Sequence, residues 1–471
     1  MLIRDVEIGL ARPADVRIDA GRVVEINSRL TPRTDEALID GCGGALLPGL
    51  HDHHIHLVSV AASLVSVPCG PPQTNSAEAL AERLLDHAAN EPTADGWLRG
   101  IGYHASVAGP IDREWLDRVL PDRPARIQHR SGRLWILNSC ALERLTAVPA
   151  PLGHDPLEKV NGRPTGRIYD GDAWLRARLP SRLRPLEDVS TLLAGFGVTG
   201  VTDATPHNDH AHYRHFAMER ERGALYQNLT VMGDASLDRA VPADGLVRGA
   251  TKIYLRESAL PALETTHDAI MNSHVAGRPV AIHCVTVAEL VFALSALQDA
   301  GPLPGDRIEH ASLAPPETIA LIRDLGVTVV TQPGFVRERG DAYLSEVSAR
   351  DVPWLYRLRG FLDAGIPLGG STDAPYSDPS PWLAMDAAVR RVTAAGNELG
   401  ADEALPPEAA LGLFTGPPEA PGSARFEIAE GDRANLCLID RPWRKARQDL
   451  TAVRVAATLI DGRVVFPVEF A

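Results

Sequence analysis

The spacing of hydrophobic and polar positions changes twice along the chain. MLIRDVEIG and ADVRIDAGRVVEI near the start, and FEIAEGDRANLCLID and RVAATLIDGRVVF near the end, alternate apolar and polar residues in short runs. Such alternation places one strand face on a core and the other in water. Ala20-Gly21-Arg22 and Asp461-Gly462 supply hairpin turns. The two ends are therefore expected to form one composite β-sandwich domain, residues 1–48 with 424–471. Between them the texture becomes short β-branched runs, each followed by an Ala/Leu-rich stretch of helix length, as in βα units around a parallel sheet. Candidate strands lie at 44–52, 198–203, 228–232, 250–255, 279–284, 306–310, 327–332 and 366–372. Eight such repeats predict an α/β fold, a (β/α)8 TIM-type barrel over 49–60 and 186–423, with chemistry at the strand C-terminal ends.

One interval breaks the period. About 140 residues separate the first candidate strand from the second, too many for a structureless connection. Residues 61–185, rich in Pro, Arg and turn pairs such as Gly109-Pro110, Pro121-Asp122 and Asn161-Gly162, are read as an inserted subdomain near the barrel mouth. Its segment ARIQHR has strand character and is an alternative barrel strand.

Composition narrows the partners. The chain has 47 Lys+Arg against 61 Asp+Glu, a net charge of −14, so its surface repels phosphate, which argues against nucleic acid and anionic membranes. A small-molecule substrate remains as the partner, with a homo-oligomer allowed. Five cysteines without a CxxC pair fit a reducing compartment. The N-terminus shows no basic region followed by a long apolar run, so a cytoplasmic protein is expected.

The candidate chemistry starts in PGLHDHHIHL, Pro48 to Leu57. On an extended strand Asp52, His54 and His56 share one side, and His51, His53 and Ile55 the other. Alone, His-x-His is equally well read as hydrogen-bonded histidines at a strand end. Three later strands, however, end in the same class of group: PVAIHC at His283, DRIEH at His310 and IPLGGSTD at Asp373. Together they supply imidazoles and a carboxylate of the kind Zn²⁺ prefers, which predicts a metal centre at the barrel mouth. Lys252, in GATKIYLR, is one of three lysines in a chain that otherwise uses arginine. An amine can lose its charge where a guanidinium cannot, so a carboxylated Lys252 bridging two ions is one reading, and a salt-bridged lysine the other.

These motifs, PGLHDHHIH, TKIY, AIHC, RIEH, TQPGF and GGSTDAP in that order, with NSCAL, GRPTGRIYD and GVTGVTDA, resemble the amidohydrolase superfamily. Within it the similarity is to the YtcJ-like branch, amidohydrolase family 3, which includes N-substituted formamide deformylases. The resemblance implies a distorted (β/α)8 barrel with a composite β domain. It implies that His54 and His56 bind one metal, that His283 and His310 bind a second or complete the site, and that Asp373 both coordinates and handles protons. One or two divalent ions, Zn²⁺ first among them, are compatible with it.

The activity expected is hydrolysis of an amide-type C–N bond, linear or cyclic, in a small molecule through a metal-activated hydroxide, with Asp373 as proton carrier. His310 is the second catalytic candidate, as an oxyanion stabiliser if it is not a ligand. Deamination of a heterocycle and a non-catalytic metal-binding scaffold are the alternatives. The branch commonly reads KIFADGS where this chain has KIYLRES, so Arg256 shares a side with Lys252 and Tyr254 and is a candidate anchor for an anionic substrate. Gln332, Arg337 and Tyr376 follow strand ends and are pocket candidates by position. Cys284, opposite His283, is read as packing.

Overall fold

The computed structural model describes residues 1–90, 96–147, 156–179 and 183–467. The parts of the expected domains at 91–95, 148–155, 180–182 and 468–471 lie outside the described residues. By its contacts the chain divides into two compact units, Met1–Leu57 with Pro185–Ala471, and Val58–Arg184.

In the first unit a parallel eight-stranded sheet runs through β1 (Leu50–Ile55), β2 (Val198–Asp203), β3 (Asn228–Gly233), β4 (Leu246–Tyr254), β5 (Val280–Cys284), β6 (Arg307–His310), β7 (Thr328–Thr331) and β8 (Leu368–Gly370). Each strand pairs with its sequence neighbour within the sheet. Just past the ladder, Asp373 N–H donates to His54 O at 2.8 Å and His56 N–H to Ala374 O at 3.0 Å, bringing the end of β8 against β1. Burial on both faces explains why these strands read as apolar runs, as in VAIHC and TVVT.

The candidate strand 44–52 proves to be two. A long strand, Leu38–Pro48, ends at Gly49, and β1 begins at Leu50. A side chain at Gly49 would strike Thr199, so the chain passes from one sheet to the other where only glycine fits.

Strands from both termini share a seven-stranded sheet with Leu38–Pro48 at its centre. That strand pairs with Leu2–Ile8 from Leu38 to Ala45 and with Leu436–Ile439 through Leu46–Pro48. Its pairing with Leu2–Ile8 is interrupted by a register break, with Cys42 (φ 49°) and Gly43 (φ 73°) in left-handed conformations. Val16, Ile18, Leu46, Leu436, Leu438 and Leu459, drawn from both ends, meet in one core. The two hairpin turns have both central residues left-handed, Ala20/Gly21 and Asp461/Gly462, which matches the twist of paired strands.

The second unit contains a six-stranded sheet ordered Leu157–Val160, Arg163–Tyr169, Leu134–Leu137, Ala125–His129, Leu98–Tyr103, Val67–Pro68. The ARIQHR segment thus belongs to this sheet and not to the barrel. One sheet face packs Ile127 and Ile136 on Leu80, Leu84 and Leu116, the other packs Trp135 on Leu142 and Leu145. No helix among the described residues is long and apolar enough to cross a membrane.

Candidate metal centre

The end of β1 is held by a buried carboxylate. Asp52 accepts from Thr372 N–H at 3.1 Å, Thr372 Oγ1–H at 2.5 Å and His54 N–H at 3.2 Å. Burial pushes its carboxyl up to about 7, against these hydrogen bonds. The clamp and the two backbone bonds between β8 and β1 fix His54 and His56 opposite Asp373, itself left-handed at φ 57°. Asp373 Oδ1 lies 3.1 Å from His56 Nε2 and 3.5 Å from His54 Nε2. One donor atom from each of the three lies within 4.8 Å of the others, room for a single cation.

Each imidazole is turned by a partner on its other nitrogen. His54 Nδ1 meets the buried Glu309 carboxylate, His56 Nδ1 meets Thr205 Oγ1 at 2.8 Å, and His310 Nδ1 donates to Gln332 Oε1 at 2.7 Å. Gln332 Nε2 in turn donates to Ser371 Oγ at 2.9 Å. A hydrogen bond on Nδ1 fixes the tautomer and leaves the Nε2 lone pair for a ligand's role. His310 Nε2, Asp373 Oδ1 and Lys252 Nζ are buried without a hydrogen-bond partner among the described residues. Buried polar atoms are normally paired, and the imidazole nitrogen and carboxylate oxygen among these orphans are donors of a type divalent cations accept, which fits an ion better than an apolar ligand.

His310 and His283 complete a ring of imidazoles, with centroids 4.5 Å apart, and His54 lies 4.9 Å from His310. Burial first, and Lys252 second, push His54 down to about 3, and burial with His310 holds His283 well below the usual histidine range. Both are neutral at pH 7, the form that ligates. Burial alone would raise Asp373, but His54, His56 and His310 around it hold it ionised, below the usual carboxylate range. Lys252 is driven down to about 8 by burial against the pull of Glu309, whose Oε2 lies 3.8 Å away.

The remaining candidates are placed as follows. Tyr254 lies on His283 with centroids 4.5 Å apart, and the Arg256 guanidinium is 5.9 Å from the Tyr254 ring centre. Tyr376 meets His56 edge to face at 5.6 Å. Gln332 spends its amide on His310 and Ser371. Arg337 faces Asp386 at 4.0 Å, while Arg339 donates to the Tyr376 carbonyl at 2.8 Å. Cys284 is buried, and burial raises its thiol well above the usual range.

Sequence reasoning passed over Glu309, which lies inside the quoted RIEH motif. Plain alternation sends it to the face opposite His310. His310 and Ala311 are left-handed, at φ 69° and 44°. That break in the extended backbone lets Glu309 and His310 both reach His54. Arg307 pairs with Glu309 from below and donates to His53 O at 2.8 Å, so the carboxylate is shared by a guanidinium, an ammonium and an imidazole.

The profile described as "Amidohydrolase family" matches residues 37–466. An N-substituted formamide deformylase of Arthrobacter pascens is 28% identical over 95% of this chain and 94% of its own. The crystal structure of an uncharacterized metal-dependent hydrolase from Pyrococcus horikoshii OT3 superposes with TM-score 0.74 at 22% identity, covering 94% of this chain and 97% of that one. N-isopropylammelide isopropylaminohydrolase from Burkholderia multivorans ATCC 17616 does so at 0.52 and 18%, covering 98% and 97%.

Proposed function

Because the chain belongs to the amidohydrolase family, we propose that it is a metal-dependent hydrolase opening an amide-type C–N bond of a small molecule, an N-substituted formamide being the first candidate. The formamide comes from the deformylase relative. The observation that carries the reading is the convergence of one donor atom each from His54, His56 and Asp373 within 4.8 Å of one another, beside the orphaned His310 Nε2.

In this reading His54, His56 and Asp373 hold a divalent ion, Zn²⁺ by the donor set, with His283 and His310 completing the site or holding a second ion. Such an ion supplies Lewis acidity toward a carbonyl oxygen and lowers the pKa of bound water to ~7. Asp373, held ionised, would take up a proton from the attacking water and return it to the departing nitrogen. His310, if not a ligand, stabilises the developing oxyanion. Lys252, buried and orphaned, is the residue that carboxylation would convert into a bridge between two ions. Tyr254 and Tyr376 flank the imidazoles, and Arg256 anchors a substrate carboxylate.

Metal analysis with a hydrolysis screen over formamides, N-acyl amino acids, hydantoins and lactams tests the proposal. Stoichiometric metal and release of amine from one class are expected, and intact-protein mass reports a CO₂ adduct on Lys252. Asp373→Asn should keep much of the metal and lose at least ~100-fold in kcat. Metal-free protein that turns over as fast as the loaded form would overturn the reading. Arg256→Met should raise KM for anionic substrates only, and an equal rise for neutral ones would remove Arg256 from the site.

A further inference from the structure

The second unit has a histidine cluster of its own. His104 follows one of two neighbouring parallel strands and His129 ends the other, with ring centroids 5.9 Å apart, and each begins a His-x-Ser turn. Ser106 N–H donates to His104 Nδ1 at 3.3 Å and Ser131 N–H to His129 Nδ1 at 3.1 Å. Each Nδ1 also meets its serine hydroxyl, at 2.8 Å and 2.9 Å. A backbone N–H can only donate, so both Nδ1 atoms are acceptors. In the neutral ring the hydrogen then sits on Nε2. These imidazoles present N–H donors, where a metal would need a lone pair.

Among the described residues the charges that act on His129 have one sign. Burial first, then His104, Arg130 and Arg167, push His129 down to about 4, and no acidic group among the described residues acts on it. The register pairing Arg167 with Ile136, and Ile136 with Ile127, puts Arg167 on the sheet face that also carries His129. Arg167 is half-buried, forms no ion pair among the described residues, and its Nε has no hydrogen-bond partner there. Tyr103, edge to face with His129 at 6.4 Å, feels the same guanidinium. A half-buried guanidinium whose described neighbours include the Tyr169 ring, 5.8 Å away, but no carboxylate is open to an anionic ligand.

We propose that His129 and Arg167, beside His104, form a small-oxyanion site on this unit, one that takes a carboxylate or a phosphate group. The Nε2–H of His129 and the guanidinium of Arg167 donate to the anion, and the fixed tautomer excludes zinc from the same place.

Calorimetric titration of the full-length protein with inorganic phosphate and, separately, with acetate tests it. One saturable equivalent that Arg167→Met and His129→Phe each weaken by ~10-fold or more is expected. His129→Gln, which keeps an N–H donor, should lose less. The anion that saturates identifies the group the site is built for. Should His129→Phe fail to fold, Arg167→Met and His129→Gln decide. Wild-type protein that binds neither anion, unchanged binding in Arg167→Met, or a zinc equivalent that disappears with His129 would overturn the proposal.

Discussion

Glu309 answers three positively polarised groups at once, Arg307, Lys252 and His54, from a site with no exposure. Burial alone would raise its carboxyl, and those neighbours hold it well below the usual range. Glu309→Gln would leave Arg307 and Lys252 buried without compensation, a loss of ~3 kcal/mol or more. It would also release His54 from its orientation, weakening metal affinity ~10–100-fold. Urea unfolding and competition against a zinc chelator measure the two losses separately, and a variant that loses neither would show that Glu309 is dispensable. The histidines and Asp373 were legible in the sequence because each follows an apolar run. Glu309 was not, since the left-handed turn at His310 leaves no mark in a single sequence beyond the residue itself.

At the level of elements, the period-two and βα rhythms identified both kinds of sheet, and the hairpins at Gly21 and Gly462 announced themselves through their turn residues. The break at Gly49 was hidden inside one continuous apolar run, ALLPGLHD, because the strand on each side of it is buried. Gly44 lies just past the register break of that long strand, and a Cβ there would collide with the Ile439 carbonyl. Gly44→Ala should therefore cost ~2 kcal/mol or more, read by thermal melting, since the obstacle is backbone and cannot rotate away. The same domain contains an acid-sensitive contact. Arg17, 2.8 Å from Glu36, and the Arg33 N–H hold the Glu36 carboxyl down to about 2 from 4.5. Because the folded value is depressed, this contribution is complete above the unfolded value near 4.5 and disappears as the pH falls through about 2. Glu36→Gln should flatten the acid limb of the stability curve between those values, and an unchanged limb would assign acid unfolding to other carboxylates.

For the whole molecule, the missing period between the first and second barrel strands was the signal of the second unit, while its six-stranded order depended on pairings that no local pattern encodes. An ion held only by the folded barrel stabilises it by about 2.7 kcal/mol at 100 times its dissociation constant. Chelation should therefore lower the melting temperature of the wild type and leave that of a His54→Ala/His56→Ala variant nearly unmoved. Equal shifts in both would detach the ion from these histidines.

The strand Leu38–Pro48 has its Leu46–Pro48 stretch paired to Leu436–Ile439, almost a full chain length later. During synthesis that stretch leaves the ribosome with exposed amides and carbonyls, and it stays so until the last tenth of the polypeptide arrives. A newborn chain stalled before that point carries a sticky, half-finished edge next to the segment bearing His54 and His56, so the order of birth leaves the first strand of the barrel beside an unfinished sheet longest.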